Sequence, residues 1–285
     1  MAEPAPAPAP DLEVIKLTPT IGAEIQGIDL RRTPDAVLAE LLRGLLVEHK
    51  VIFFREQDLT REQHLAFARC FGDLELFPFS QGPEGYPEIL VLENDADRAP
   101  FNNHWHSDVT WRLEPSLGSV LYCHESPETG GDTLFADMEA AYENLDDATK
   151  QQIDGRYALH DHHPFRRGMR ARGVSEDEIE ATREKYPVAR HPIVRTHPES
   201  GRKSLYVNAT FTRQIDGMEK TESDELLQRL YRQASIPEHQ CRFRWRKHSI
   251  AFWDNRSTQH YAAADFFPMR RYMERVTVVG DVPRP

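Results

Sequence analysis

The stretch Ile250–Asp281, "IAFWDNRSTQHYAAADFFPMRRYMERVTVVGD", decides how this chain is read. It opens on an aromatic, apolar run with the length and composition of a buried strand. A turn-like segment then leads to His260. It closes on RRYMERVTVVG, rich in β-branched residues as strands are. If that run is a strand, Arg271, Met273 and Arg275 leave one face, because side chains alternate across a strand. Two guanidiniums aimed the same way in an acidic protein call for an anionic partner. Their planar forks suit a carboxylate through paired, charge-assisted hydrogen bonds.

Upstream, "NNHWHSDVTW" (residues 102–111) sets His104, His106 and Asp108 two residues apart. In an extended strand all three share a face. An H-x-D pair completed by a distant histidine forms a two-histidine, one-carboxylate set, the ligand pattern of non-haem Fe(II) oxygenases. Alone, H-x-D arises often by chance, so the row leaves open which residues, if any, hold a metal.

Working outward, LEVIKLT, AEIQGIDL, VIFFR, EILVLEN, SLGSVLYCHES and DTLFADM read as strands bounded by turn residues. DAVLAELLRGLLVEHK, TREQHLAFARCFG, DMEAAYENL, DDATKQQI, VSEDEIEATREKY and ESDELLQRLYRQAS read as helices. HPIVRTHPESGRKSLYVN reads as two strands around the turn 198–201, and CRFRWRKHSIAFWDN supplies late strands. The pattern predicts a mainly β protein with helical decoration, a sandwich or barrel. HDHHPFRRGMRAR (160–172) is expected as a basic, glycine-containing loop forming a lid.

The chain has 285 residues, 39% of them hydrophobic, enough for a substantial core. The start, "MAEPAPAPAPD", has neither the basic nor the apolar region of a secretory signal, and residues 1–10 are expected as a disordered Pro/Ala tail. No apolar run approaches the roughly 18 residues that span a bilayer. A net charge of −11 argues against nucleic-acid binding. Cys70, Cys123 and Cys241 are odd in number and widely spaced, which argues against a disulfide framework and fits a reducing cytoplasm.

The blocks WHSDVTW (105–111), TGGDTLF (129–135) and WDNRSTQHYA with the following RR and MERVTVVGD resemble the Fe(II)- and 2-oxoglutarate-dependent taurine dioxygenase family. That family also contains aryloxyalkanoate and alkylsulfate dioxygenases. The likeness runs from about Leu12 to Pro283 and implies one catalytic domain over 11–285 with a double-stranded β-helix (jelly-roll) core. It implies Fe(II) held by His106, Asp108 and His260, with 2-oxoglutarate and O₂ as co-substrates. Thr133 and Arg271 match the residues that hold the distal carboxylate of 2-oxoglutarate. Arg275 matches a second active-site arginine, facing substrate in some relatives and co-substrate in others. The implied reaction converts 2-oxoglutarate to succinate and CO₂ and hydroxylates a small anionic substrate, whose product fragments when the carbon bears a heteroatom.

The substrate pocket departs from taurine dioxygenase. Where that enzyme has an H-P-x-Y stretch, this chain has Phe77-Pro78-Phe79-Ser80. Asn102 and Arg275 do match. An anionic compound with a larger or more apolar body is therefore at least as good a candidate as taurine. Phe77, Asn102, Phe165, Arg166, Phe211 and Arg275 are the candidate substrate contacts. His104 is left between the pocket wall, a hydrogen bond to a neighbour and solvent. Homo-oligomer formation stays open. A zinc hydrolase and a catalytically inactive binding protein are the rival classes. The arginine pair and Thr133 favour an oxygenase, because a hydrolase needs no clamp for a dicarboxylate.

Overall fold

VIFF and IAFW read as unbroken apolar runs because the sheet that contains them is covered on both faces. The computed structural model describes residues 12–285, so the expected tail at residues 1–10 lies outside the described residues. In chain order the strands are β1 (Glu13–Lys16), β2 (Ala23–Gln26), β3 (Val51–Phe54), β4 (Ile89–Asn94), β5 (Gly118–Glu125), β6 (Thr133–Asp137), β7 (Tyr157–His160), β8 (Ala189–Pro192), β9 (Val194–Thr196), β10 (Lys203–Leu205), β11 (Thr212–Ile215), β12 (Gln240–Phe243), β13 (Ile250–Asp254), β14 (Thr258–Ala262) and β15 (Arg271–Val278). The helices are α1 (Ala36–His49), α2 (Arg61–Arg69), α3 (Met138–Glu143), α4 (Asp147–Ile153), α5 (His163–Ala171), α6 (Glu176–Lys185) and α7 (Lys220–Tyr231).

The large sheet has the order β1-β2-β3-β13-β5-β15-β4, antiparallel except for the β2–β3 pair. Phe54, Val120, Phe252 and Val276 on one face pack against Leu42 and Leu46 of α1 and Leu65 and Phe67 of α2. Each such fully buried apolar side chain contributes about 1.5–3 kcal/mol. α1 starts where the Asp35 carboxylate accepts from the Leu38 N–H, and α2 starts with a Thr60/Gln63 capping box.

The opposite face carries Phe53, Leu121, Trp253 and Met273. These pack against Phe135 and Phe243 of a small β12-β6-β14 sheet. Phe53 stacks on Phe243 at 4.0 Å between ring centroids. The two sheets thus form facing layers, and the mainly β expectation with helical decoration describes them. A β11-β7-β8 sheet and the β9–β10 hairpin close one end with α3, α4 and α7 around a second apolar cluster. Among the described residues no helix is long and apolar enough to cross a membrane.

Three segments differ from the sequence reading. Residues 163–171 are not a loop but helix α5. Pro164 sits in the first turn, where a missing N–H costs nothing, and Arg, Met and Ala propagate the helix. The segment before His260 is not a turn throughout, because Thr258–Ala262 forms β14 and pairs with β6. Residues 102–111 are not a strand. Only His106 makes a bridge, and a turn begins at Asp108.

The turn from β13 to β14 is completely buried yet charged. Asp254, 0% exposed, accepts from Arg256 Nε at 2.8 Å and Nη2 at 2.6 Å, and from His197 Nε2 at 3.0 Å. Arg256 continues to Glu199, which also binds Arg43 of α1. Burial pushes the Asp254 carboxyl up, but Arg256 and His197 outweigh it and hold it well below the usual carboxylate range. With the folded pKa depressed, the stabilisation is present above the unfolded value of about 3.9 and is lost as pH falls below it. Asp254→Asn should lower the unfolding free energy at pH 7 by about 3–5 kcal/mol, as removing one partner of a buried pair does. Urea unfolding between pH 7 and pH 3 should also show a flatter acid loss of stability in the variant than in the unaltered chain.

Candidate metal centre and cavity

His106 and His260 exchange both backbone hydrogen bonds, N to O at 3.1 and 2.8 Å. This isolated antiparallel pairing puts two residues 154 positions apart side by side, with ring centroids at 4.2 Å. His106 Nδ1 lies 2.9 Å from the carbonyl of His104. Donation from Nδ1 to that carbonyl leaves Nε2 as a free lone pair, the form a metal requires. Burial holds the pKa of His106 below the ordinary value and that of His260 far below it, so both are neutral at pH 7. Asp108 Oδ1 is 3.9 Å from each Nε2, and one donor atom from each residue lies within 4.8 Å of the other two.

Asp108 is fixed at every polar atom. Its Oδ2 accepts from Ser119 Oγ at 3.1 Å and its Oδ1 from Arg275 Nη1 at 2.6 Å. Burial raises its carboxyl, but the charges of Arg275, His260 and His106 prevail and bring it down to about 2. Its backbone N–H and C=O are both bonded to the Asn255 side chain. Arg275 keeps a buried Nε–H with no partner among the described residues.

Thr133 opens β6 opposite Ala262, two register steps from the His260–Phe135 pair. Its Oγ1 accepts from Trp245 Nε1 at 2.9 Å, which leaves its O–H free to donate. Arg271 is 5% exposed, flanked by the rings of Trp245 and Phe266, and pairs with no carboxylate among the described residues. Its Nε donates to Gly131 O at 3.1 Å, and burial lowers its pKa to about 10. Gly131, at φ +71°, allows this approach, since a Cβ there would meet Arg271 Cδ at 3.3 Å.

His106, Asp108, His260, Thr133, Arg271 and Arg275 line one cavity of about 760 Å³. Phe77, Phe79, Phe165 and Phe211 line it and pack with Val109 and Trp111 into one apolar, mostly aromatic cluster, with Phe211 edge-on to His106 at 6.4 Å between ring centroids. Phe165 stacks on Phe79 at 4.8 Å and on Phe211 at 6.0 Å. Asn102 and the half-buried His104 also line the cavity. Arg166 does not. Its guanidinium turns to Asp161 at 2.5 and 2.8 Å, and Arg167, one position on, borders the cavity instead. Of the carboxylates in the lining, Asp108 is engaged by Arg275 and Glu93 by Arg270 and Arg98.

Sequence reasoning missed Trp245, Ser119 and Asn255. Trp245 was visible in the alternation Cys241, Phe243, Trp245, which marks a buried face. Ser119 is a polar residue inside an apolar strand. Asn255 had no signal beyond its place in the WDNRST block.

An unpaired guanidinium held in an apolar box is a cost borne for a ligand. Arg271→Leu should raise the urea stability of the ligand-free protein by about 1–3 kcal/mol, in line with replacing buried charge by apolar volume. The same variant should lose the thermal shift that 2-oxoglutarate gives the unaltered chain.

A model of the taurine catabolism dioxygenase TauD, TfdA family matches residues 13–277. The chain is 34% identical to an alkylsulfatase of Acinetobacter baylyi over 280 residues, covering 96% of this chain and 87% of that protein. It is 33% identical to an alpha-ketoglutarate-dependent sulfate ester dioxygenase of Pseudomonas putida, covering 99% of this chain and 95% of that one. The crystal structure of a putative alpha-ketoglutarate-dependent taurine dioxygenase from Burkholderia xenovorans superposes with a TM-score of 0.83 at 37% identity, over 96% of this chain and 94% of that one. The ligand-atom geometry and the match over nearly the whole length agree: the chain belongs to the TauD, TfdA family of dioxygenases.

Proposed function

We propose that the protein is an Fe(II)- and 2-oxoglutarate-dependent dioxygenase that hydroxylates a small anionic organic substrate of the sulfonate or sulfate-ester class. The observation that carries this reading is the convergence of buried His106, Asp108 and His260 in a cavity that also exposes Arg271, a cation without a carboxylate. Residues 11–285 act as one catalytic domain, and the two facing sheets are its double-stranded β-helix. Three free thiols, Cys70, Cys123 and Cys241, suit a cytoplasmic enzyme.

His106 Nε2, His260 Nε2 and Asp108 are the iron ligands in this reading, a two-histidine, one-carboxylate set that leaves positions open. Bound Fe(II) supplies the redox chemistry that couples decarboxylation of 2-oxoglutarate by O₂ to insertion of oxygen into a substrate C–H bond. The chain does the rest. Arg271 and the Thr133 hydroxyl hold the distal carboxylate of 2-oxoglutarate, in a site dry enough to make the ion pair strong. Arg275 neutralises Asp108 and, bordering the cavity, adds a positive charge that favours an anion there. Phe77, Phe165 and Phe211 exclude water and orient the substrate body, while Asn102 supplies a polar contact. A zinc hydrolase would leave Arg271 and Thr133 without a purpose.

An aryloxyalkanoate is the second reading, favoured by the aromatic wall. The test is anaerobic titration of the Fe(II), 2-oxoglutarate-loaded protein with taurine, longer alkanesulfonates, alkyl sulfates and aryloxyacetates, followed through the visible charge-transfer band, then O₂ uptake. Alkyl sulfates or longer sulfonates should shift the band and drive succinate formation. The His106→Gln variant should abolish turnover and the His104→Gln variant should keep Fe(II) binding. A reversal of those two results would put the ligand register wrong.

The placement of the α5 arginines gives a separate expectation. Arg167→Ala should raise the substrate KM about tenfold, roughly the worth of one charge-assisted hydrogen bond, and spare 2-oxoglutarate affinity. Arg166→Ala should act less on KM and more on the thermal stability of α5. Steady-state kinetics with varied substrate and then varied 2-oxoglutarate separates the two.

A further inference from the structure

Between Asp108 and Thr110 the backbone does something costly. Val109 has φ +46°, the left-handed region that crowds the Cβ of any L-residue and suits a β-branched one least. It is 3% exposed. This bend takes the chain off the line of His106 and starts the turn that ends in the Arg112 N–H to Val109 O bond at 2.9 Å. It also leaves the Asp108 N–H and C=O without a neighbouring strand to pair with.

A side chain takes the place of that strand. Asn255 Oδ1 accepts from the Asp108 N–H at 2.6 Å, and Asn255 Nδ2 donates to the Asp108 carbonyl at 2.9 Å. The same Nδ2 lies 3.3 Å from Ser116 O and 3.1 Å from Ser116 Oγ, and the Asn255 N–H donates to Leu117 O at 2.8 Å. Asn255 is 0% exposed, and its partners allow only one orientation of the amide. On the far side of Val109, Thr110 Oγ1 accepts from Asn208 Nδ2 at 3.0 Å and meets His160 Nδ1 at 3.0 Å. The strained residue is thus clamped at both ends.

A glycine at 109 would remove the strain. It would also remove an apolar side chain that lines the cavity and packs with Trp111 and Phe211. The wall is kept and the backbone strain is kept with it. Such strain persists only where the surroundings over-determine it.

We propose that Asn255 is a positioning residue that holds the Asp108 carboxylate in ligand position against the tendency of Val109 to relax to negative φ. Asn255 touches neither metal nor substrate. It acts through the backbone of the residue whose carboxylate faces His106 and His260. The inference rests on the metal-binding reading of these three residues.

The test is titration of metal-free protein with Co(II) under anaerobic conditions, read by calorimetry and by the visible d–d absorption of bound Co(II). Asn255→Ala should lower Co(II) affinity about 10–100-fold, the usual effect of losing a support for a ligand. Val109→Gly alone should change it little. In the Asn255→Ala, Val109→Gly double variant most of the affinity should return, because glycine adopts positive φ without strain. A merely structural role would let Val109→Gly raise the urea stability of the Asn255→Ala background without restoring Co(II) affinity, so recovered affinity is the readout that separates the two. Undiminished Co(II) affinity in Asn255→Ala overturns the proposal, and so does a double variant no tighter than Asn255→Ala. Should Asn255→Ala not fold, Asn255→Ser, which keeps one polar atom, carries the same comparison. If the unaltered chain binds Co(II) no better than His106→Gln, it is the metal reading that fails.

Discussion

Asp254 is the charge around which the interior is arranged. A carboxylate with no solvent contact is tolerable only when its bonds are filled by well-placed donors. Here they come from Arg256 on its own turn and His197 on the β9–β10 hairpin, while Arg256 and Glu199 carry the chain of charges on to α1. Thr258 Oγ1 donates to the Asp254 carbonyl at 2.8 Å, and Ser107 Oγ donates to the Thr258 carbonyl at 2.7 Å. The next residue, Asn255, brackets Asp108. One buried turn therefore sets the spacing among a helix, a hairpin and the segment that carries two of the candidate ligands. Because the network is fully bonded in a low-dielectric setting, it tolerates little displacement.

The cavity divides by material. Much of its polar end stands on paired strands, with His260 on β14, Arg271 and Arg275 on β15 and Thr133 on β6, while His106 and Asp108 come from a segment pinned by the His260 bridge and by Asn255. Its apolar end comes from the 77–80 segment, α5 and the residues around Phe211, which lie outside the two facing sheets. Groups whose positions must be held within a few tenths of an ångström stand on the rigid part. Groups that meet a variable substrate body stand where backbone can change without disturbing a ladder.

The polar end was legible in sequence because its signals are local. H-x-D, GGDT and the arginines of β15 fall within short blocks, and the alternation that predicts Arg271 and Arg275 on one face agrees with both of them lining the cavity. Other features depend on geometry that no local pattern carries. TQHYA is too polar to announce a strand, yet pairing with β6 makes it β14. HPFRRGMRA looks like a loop by its proline, glycine and charge, yet helix propagation wins. Arg166 turns to Asp161 while Arg167 borders the cavity, because a step of one residue on a helix is a rotation of about 100°. The pairing of Asn255 with Asp108 spans 147 positions and left no trace in composition or period.

The mutual backbone pairing of His106 and His260 ties assembly to chemistry. Bringing those residues together closes a loop of 154 positions, more than half of the chain, and sets two of the three candidate metal ligands side by side in the same event. A divalent ion caught there acts as a reversible cross-link. It resists unfolding by RT ln(1 + [M]/Kd), about 2.7 kcal/mol when free metal stands at a hundred times its dissociation constant. Cellular iron supply would then set how long each copy survives proteolysis as well as how fast it works, and iron-starved cells would clear the idle protein first.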